Sequence, residues 1–141
     1  GDLLAGVAPI SLLASREYPR SCAGGVGGVK CVGNYAAVFK CQAETKAEGF
    51  NEALFLDSQT GSFIEEAGAS NFFAFIPDEK GGGGTLVTPP LAADTILPGV
   101  TRDSILTLAR SELPAAGQQN AKGETTERPP AFSSSKPLNQ Y

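Results

Sequence analysis

The chain of 141 residues contains no histidine and only three cysteines, and these shortages exclude several kinds of site. Without histidine, the chain has neither the commonest general base nor a Ser-His or Cys-His nucleophile pair. Cys22, Cys31 and Cys41 form no CxxC pair, so we expect no metal site. The odd number of thiols favours the reduced cysteines of an intracellular protein over a disulfide framework. Any catalysis must therefore depend on lysine, carboxylates, tyrosine, backbone N–H groups or a cofactor.

Long apolar runs and a strong net charge are also missing. No stretch is long enough to span a bilayer as a helix, and no signal-peptide pattern opens the chain. The formal net charge of −4 argues against nucleic acid or an anionic membrane as the partner. At this length we expect one domain with its own core. Because the chain opens on Gly1 instead of methionine, we expect a fragment or a processed product.

Helical and strand-like patterns alternate after residue 33, which predicts a mixed α/β fold, whereas residues 1–23 give no clear pattern. Helical spacing predicts a helix over 34–48 that ends at Gly49, with an apolar side of Tyr35, Val38, Phe39, Ala43 and Ala47. Apolar runs predict strands at 52–57, 62–68, 71–77 and 85–90, with a turn at 58–61 and a loop at 78–84. A second helix is predicted within 97–113, with an apolar face of Ile105, Leu106, Ala109 and Leu113.

Residues 114–141 differ from the rest in composition. They are rich in proline, serine, glutamine, lysine and glutamate, and they contain almost no large apolar residue. Such a segment cannot bury enough surface to offset the entropy lost on ordering. We therefore divide the chain into a folded part, residues 1–113, and a low-complexity tail, residues 114–141, that is predicted to be disordered.

Glycines surround Lys30 in the stretch GGVGGVKCVGNY at 24–35. The stretch fails the Walker template, because Val29 precedes Lys30 and Cys31 follows it. It fails the dinucleotide fingerprint as well. With Gly25 and Gly27 as the first two glycines, that pattern needs its third glycine at position 30, where Lys30 stands. One interpretation is a glycine-rich turn with a solvated lysine. The other is a site in which missing side chains leave room for a flat ligand beside Lys30, with the Tyr35 phenol in reach.

Two adjacent carboxylates lie in the stretch FIEEAGASNFF at 63–73. On a strand, Glu65 and Glu66 point to opposite faces, so at most one of them can face a given pocket. A solvated strand edge is the plainer interpretation of such a pair. The small residues that follow nevertheless form a tight turn that could aim one carboxylate at a ring nitrogen.

The stretch ILPGVTRDS at 96–104 predicts the entry of a helix. There the backbone N–H groups of Val100 and Thr101 would form an anion site at the positive helix end. An ordinary capped helix is the plainer interpretation of this stretch alone. We expect Arg102 to point outward or to brace the turn. Combined, the three stretches supply an amine, a phenol, a carboxylate and a helix end, which are the groups that pyridoxal phosphate requires.

In this order and spacing, the three stretches resemble the branched-chain amino-acid aminotransferases, which are fold-type IV pyridoxal-phosphate enzymes. The similar part covers about residues 5–113 and includes LVTPPLAADTILPGVTRDSI at 86–105. The resemblance implies that residues 1–113 are part of the larger, cofactor-binding domain, a strand-rich pseudo-barrel with flanking helices. It implies pyridoxal 5'-phosphate as cofactor and amino transfer between leucine, isoleucine or valine and 2-oxoglutarate. It also implies a homodimer for the intact enzyme, with no metal, nucleic acid or membrane as partner.

The resemblance implies a role for each matching residue. Lys30 matches the catalytic lysine, which binds the cofactor covalently and moves a proton between the substrate α-carbon and C4′ of the cofactor. Tyr35 matches the tyrosine that hydrogen-bonds the phenolic oxygen, and Glu66 matches the carboxylate that keeps the pyridine nitrogen protonated. The remaining matches hold the phosphate through backbone N–H groups or lie near the ring, and they are Val100, Thr101, Leu97 and Gly99.

The chain also departs from the family pattern. Family members are longer, with an N-terminal domain that supplies an arginine to the phosphate and a Ser/Thr-Gly-Thr-Ala-like turn beyond the second helix. Neither these nor the family's CxxC occur here. Two alternatives therefore stay open: an inactive fragment that acts as a binding or dimerisation module, and another fold-type IV enzyme, such as a D-amino-acid aminotransferase or an aminodeoxychorismate lyase. Relatives occur in plastids, mitochondria and cytosol, so we expect an intracellular protein whose compartment the sequence leaves open.

Overall fold

The computed structural model describes residues 8–77 and 84–111. In chain order the elements are β1 (Leu12–Ser15), α1 (Val32–Ala47), β2 (Glu52–Leu56), β3 (Ile64–Ala67), β4 (Ala74–Pro77), β5 (Gly84–Val87) and α2 (Val100–Ser111). The mixed α/β class predicted from the sequence is confirmed. The predicted loop at 78–84, apart from Gly84, and the predicted tail at 114–141 lie outside the described residues, so both stay predictions.

A three-stranded sheet in the order β1-β2-β3 forms the centre of the described chain. Strands β1 and β2 are parallel, with Leu12 opposite Glu52 and Ser15 opposite Phe55. Parallel neighbours need a long connection, and the glycine-rich stretch with α1 provides it. Strand β3 then returns antiparallel to β2, after the predicted turn. Strand β1 lies within residues 1–23, where no element was predicted.

The core lies on both faces of β2. On one face, Ala53 and Phe55 pack against Val38 and Cys41 of α1. On the other face, Leu54 and Leu56 pack against Ile64 of β3, with β1 residues at the margin. Since side chains alternate along a strand, burial on both faces explains why the run 53–56 is apolar without interruption.

The bounds of α1 agree with the prediction to within two residues, but the predicted apolar side does not. Gly49 follows the helix with φ 89°, a left-handed conformation that glycine adopts without strain. The buried positions of α1 are Asn34, Val38, Cys41 and Thr45. Phe39 is 71% exposed, and Ala43 and Ala47 are exposed as well. The predicted side was wrong, apart from Val38 and the half-buried Tyr35, because small polar residues take the inner positions.

Strands β4 and β5 form a separate antiparallel pair, from Ala74 opposite Val87 to Pro77 opposite Gly84. Strand β5 ends at Val87, three residues before the predicted end at 90, and Pro89 and Pro90 lie beyond it. Helix α2 begins at Val100, with Asp103 in its first turn and Leu106 buried. Ile105 is 37% exposed, and Leu113 lies outside the described residues.

Of the two arrangements expected for Arg102, the structure shows the second, in which it braces the turn. Its side chain is 5% exposed instead of pointing outward. It braces the entry of α2, because its Nη2 donates a hydrogen bond to the Pro89 carbonyl at 3.1 Å. In residues 8–77 and 84–111, no helix has the length and apolar character needed to cross a membrane.

Candidate active site

The glycine-rich stretch before α1 folds tightly against residues 94–95. The Gly28 N–H donates to the Asp94 carbonyl at 2.7 Å. A side chain at position 27 would overlap the Ser21 hydroxyl and the Thr95 carbonyl. Gly27 is therefore required by close packing of the loop. This differs from the sequence interpretation, in which the glycines leave room for a ligand.

Lys30 and Tyr35 are in direct contact at the start of α1. The Lys30 Nζ donates a hydrogen bond to the Tyr35 hydroxyl, and it lies 4.9 Å from the centre of the phenol ring. Asn34 anchors the approach to the helix, because its Nδ2 donates to the carbonyls of Val26 and Val29 at 2.8 and 2.7 Å. Asn34 is 6% exposed. This buried amide holds the turn that carries Lys30, and it was not among the predicted site residues.

Glu66 lies at the inner side of β3 and is 3% exposed. Its Oε1 accepts hydrogen bonds from Nη1 of Arg20 at 2.7 Å and from the Leu97 N–H at 3.0 Å. Its Oε2 accepts one from Nδ2 of Asn71 at 3.2 Å. Burial raises the pKa of the Glu66 carboxyl, while the Leu97 N–H and the Arg20 guanidinium oppose that rise.

Arg20 is the main residue that the sequence analysis missed. It is 7% exposed, and besides Glu66 its Nη1 contacts the carbonyls of Thr95 at 3.2 Å and Gly27 at 3.4 Å. One guanidinium thus ties the carboxylate to the loop that carries Lys30. No signal in the sequence marks Arg20, because it lies within the 1–23 segment that showed no pattern.

Glu65 points away from Glu66, as alternation along a strand requires. It does not line the cavity described below, although it is 7% exposed. Burial raises the pKa of the Glu65 carboxyl, and a hydrogen bond with Thr95 opposes the rise. The prediction that only one of the two carboxylates faces a given pocket is therefore confirmed.

The N-terminus of α2 forms the third side of the site. Val100 is 84% exposed, and first-turn N–H groups such as those of Val100 and Thr101 have no acceptor within their own helix. Just before the helix, the Leu97 carbonyl accepts a hydrogen bond from Nδ2 of Asn71 at 2.8 Å. A side chain at Gly99 would overlap Oδ1 of Asn71, so Asn71 would have to shift to admit one.

These groups surround one cavity of about 330 Å³. All seven predicted site residues line it, namely Lys30, Tyr35, Glu66, Leu97, Gly99, Val100 and Thr101. The size is at the lower end of small-molecule sites. An amine, a phenol, a carboxylate and a helix N-terminus therefore converge on one space, and this donor set fits a flat anionic cofactor. Within the described ranges, no cluster of three or more Cys, Asp or Glu residues could hold a metal ion.

Comparison with known proteins agrees with this geometry. The profile of the amino-transferase class IV family matches residues 28–122. The chloroplastic branched-chain-amino-acid aminotransferase 5 of Arabidopsis thaliana is 43% identical over 107 residues, which is 76% of this chain and 24% of that protein. The branched-chain-amino-acid aminotransferase of Mycobacterium tuberculosis (strain CDC 1551 / Oshkosh) is 40% identical over 132 residues, which is 86% of this chain and 35% of that protein.

A solved structure is similar as well. The branched-chain amino acid aminotransferase from Thermobaculum terrenum, in its PLP form, superposes with a TM-score of 0.64 at 26% identity, covering 77% of this chain and 32% of that one. The predicted fold, part of a fold-type IV domain, is therefore confirmed. The chain spans between 24% and 35% of the length of the proteins compared. With two thirds of its residues inside the family profile, the chain belongs to the class IV aminotransferase family.

Proposed function

We propose that this chain carries the pyridoxal-phosphate site of a branched-chain amino-acid aminotransferase, a transferase that exchanges the amino group of leucine, isoleucine or valine with 2-oxoglutarate. The observation that carries the proposal is the convergence of Lys30, Tyr35, Glu66 and the N-terminus of α2 on one cavity. Relatives at 40% identity and above that bear this name support the choice of reaction.

In this proposal, each residue has a separate role that follows from the chemistry of its side chain. Pyridoxal phosphate, when bound, supplies an aldehyde and an electron-withdrawing ring. The Lys30 amine would hold the cofactor covalently and, once released from it, would accept the proton from the substrate α-carbon. The Tyr35 hydroxyl would hold that amine in place, which is consistent with their hydrogen bond. It would also form a hydrogen bond with the phenolic oxygen of the cofactor.

The two ends of the cofactor would be bound by different groups. The Glu66 carboxylate would accept a hydrogen bond from the protonated ring nitrogen, a charge-assisted contact that contributes roughly 1.5–3 kcal/mol. The N–H groups of Val100 and Thr101 would bind the phosphate, since the positive end of a helix favours an anion. Leu97 and Gly99 would lie beside the ring.

Reductive labelling tests the attachment at Lys30. The full chain is incubated with pyridoxal phosphate, reduced with borohydride, digested, and analysed by mass spectrometry. We expect a pyridoxyl group on the peptide that contains Lys30 and none on that peptide in Lys30→Ala. Lys46, an exposed lysine on α1, provides the matched control, because Lys46→Ala should retain the label at Lys30. Equal labelling of all lysines in the unmodified chain would contradict a built site.

Cofactor binding without amino transfer is the second candidate function. It is favoured by one observation, that the chain spans between 24% and 35% of the related proteins. If the chain can be labelled at Lys30, single-turnover assays on the unreduced chain with bound cofactor separate the two functions. Formation of the 2-oxo acid from L-leucine supports the transaminase, and labelling without product supports an inactive binding module. Product from D-alanine or aminodeoxychorismate instead would assign another fold-type IV reaction.

We also propose a homodimer for the intact enzyme and a location inside the cell. The dimer is supported by apolar side chains on the outside of α1, where Val32 is 86% and Phe39 71% exposed. The location is supported by the relative named as chloroplastic. Sedimentation equilibrium over a range of concentrations tests self-association, and a monomer at every concentration contradicts it for this chain.

A further inference from the structure

The two oxygens of Glu66 are not equivalent. Oε1 accepts two hydrogen bonds, from Arg20 at 2.7 Å and from the Leu97 N–H at 3.0 Å. Within the described part of the chain, Oε2 accepts one, from Asn71 at 3.2 Å. A carboxylate oxygen has about two acceptor positions. Oε1 is therefore saturated, and Oε2 is the atom that retains capacity for a ligand in the cavity that Glu66 lines.

Asn71 connects Glu66 to the backbone before α2. Its Nδ2 carries two hydrogens, which matches its two acceptors, Glu66 Oε2 and the Leu97 carbonyl at 2.8 Å. Both acceptors require the amide nitrogen on this side, so the network itself fixes the orientation of the amide. Its Oδ1 lies against Gly99, where an added Cβ would overlap it unless Asn71 shifted. One side chain thus contacts the carboxylate and both ends of the 97–99 segment.

The backbone around Asn71 gives this side chain a fixed origin. Glu66 and Asn71 form an isolated antiparallel bridge, and the Ala67 N–H donates to the Ser70 carbonyl at 2.9 Å. These contacts close the small-residue turn GASN immediately beside the cavity. Asn71 therefore starts from a tight turn and reaches two separate parts of the site.

We propose that Asn71 is a positioning residue that aims Glu66 Oε2 at the ring nitrogen of the cofactor and, through Leu97 and Gly99, sets the distance from that oxygen to the phosphate-binding end of α2. The inference rests on the proposed function of the site. It assigns Asn71 no contact with the reacting atoms. Its effect is to couple the binding of the two ends of one ligand, so that the ring and the phosphate are recognised at a fixed separation.

Comparing two ligands tests the coupling. Dissociation constants of the full chain are measured by absorbance for pyridoxal phosphate and for pyridoxal, which lacks the phosphate. In Asn71→Ala we expect pyridoxal phosphate to bind about tenfold more weakly, from the loss of roughly one to two net hydrogen bonds, and pyridoxal to lose only about threefold. The preference for the phosphorylated ligand then falls. An equal loss for both ligands, or no loss for either, overturns the inference.

A spectroscopic titration separates positioning from a merely structural role. The pH at which the bound ring loses its nitrogen proton should fall in Asn71→Ala, because Glu66 Oε2 is no longer held toward that nitrogen. An unchanged titration contradicts the proposal. Asn71→Ser, which keeps one donor, provides a milder variant if the alanine variant fails to fold, and circular dichroism reports the fold of each.

Asn51 supplies the matched control. It is exposed, and its Oδ1 accepts hydrogen bonds from the N–H and the hydroxyl of Ser11. Neither residue lines the cavity. Asn51→Asp retains that acceptor and should leave both dissociation constants unchanged. Failure of this inference is distinguishable from failure of the proposed function. If the unmodified chain is not labelled at Lys30, the function fails, whereas normal labelling with unchanged ligand preference in Asn71→Ala removes this inference alone.

Discussion

At the scale of single residues, the site depends on a buried ion pair. Arg20 and Glu66 form it at 2.7 Å, with side-chain exposures of 5% and 4%. Their charges lie far from water, so their attraction mainly offsets the cost of desolvation. Arg20 also bonds two carbonyls, Gly27 and Thr95. The pair therefore serves less to stabilise the fold than to keep the carboxylate ionised and oriented beneath the Lys30 loop.

Removing Arg20 alone should strongly destabilise the chain. We expect Arg20→Met to lower the free energy of unfolding by about 3–5 kcal/mol, because Glu66 is left as an uncompensated buried charge. Urea denaturation measures the change. Glu66→Gln in the same chain should recover part of the loss, since it removes the orphaned charge. Arg16→Met, at an exposed arginine, is the control and should change the value by less than about 0.5 kcal/mol. A loss at Arg20 no greater than at Arg16 would contradict the buried pair.

At the scale of elements, the turn between β2 and β3 holds the strand that carries Glu66. The Asp57 carboxylate accepts hydrogen bonds from the backbone N–H groups of Thr60, Ser62 and Phe63 at 2.6 to 2.9 Å. Partial burial alone would raise the pKa of Asp57, but these bonds and the Thr60 hydroxyl outweigh it and lower the pKa to about 2. One carboxylate thus closes the turn and starts β3 in register.

Substituting Asp57 should remove a pH-dependent contribution to stability. Its pKa is lower in the folded chain than the ordinary value of 3.8. Its contribution is therefore complete above pH 3.8 and is lost as the pH falls toward 2. We expect Asp57→Ala to lower the free energy of unfolding by about 1–3 kcal/mol at pH 7. Denaturation at pH 7, 4 and 2.5 should show the difference shrinking with acid, and a difference independent of pH would contradict the assignment. Glu17→Ala, at an exposed position outside the helices and strands, is the control.

The elements also show what the sequence could and could not predict. The bounds of α1 and β2 followed from local signals, namely helical spacing, a terminal glycine and an uninterrupted apolar run. The inner face of α1 did not, because the polar side chains of Asn34 and Thr45 are buried while the apolar Phe39 is exposed, the reverse of the hydrophobic pattern. Seven residues of the cavity were found through motifs, whereas Arg20 and Asn71, which also line it, act through contacts with Thr95 and Leu97. Such long-range pairs leave no local pattern.

At the scale of the whole molecule, the cavity joins segments that are far apart in sequence. Its lining comes from the loop before α1, from β3 and its turn, and from the start of α2. In the unfolded chain these segments are not adjacent. A cofactor that contacts all three therefore binds the folded state selectively, and its binding adds directly to the stability of the fold.

The stabilisation of the fold by pyridoxal phosphate should therefore depend on all three segments that line the cavity. At a free concentration 100 times the dissociation constant, we expect the free energy of unfolding to rise by about 2.7 kcal/mol. Thermal denaturation with and without the cofactor measures this as a rise in Tm. Lys30→Ala should lose most of the rise, because covalent attachment is removed, while Lys46→Ala, at an exposed lysine on α1, should keep it. A rise of equal size in Lys30→Ala would place the stabilising contact elsewhere on the molecule. If the unmodified chain shows no rise in Tm, the three segments do not bind the cofactor without additional protein.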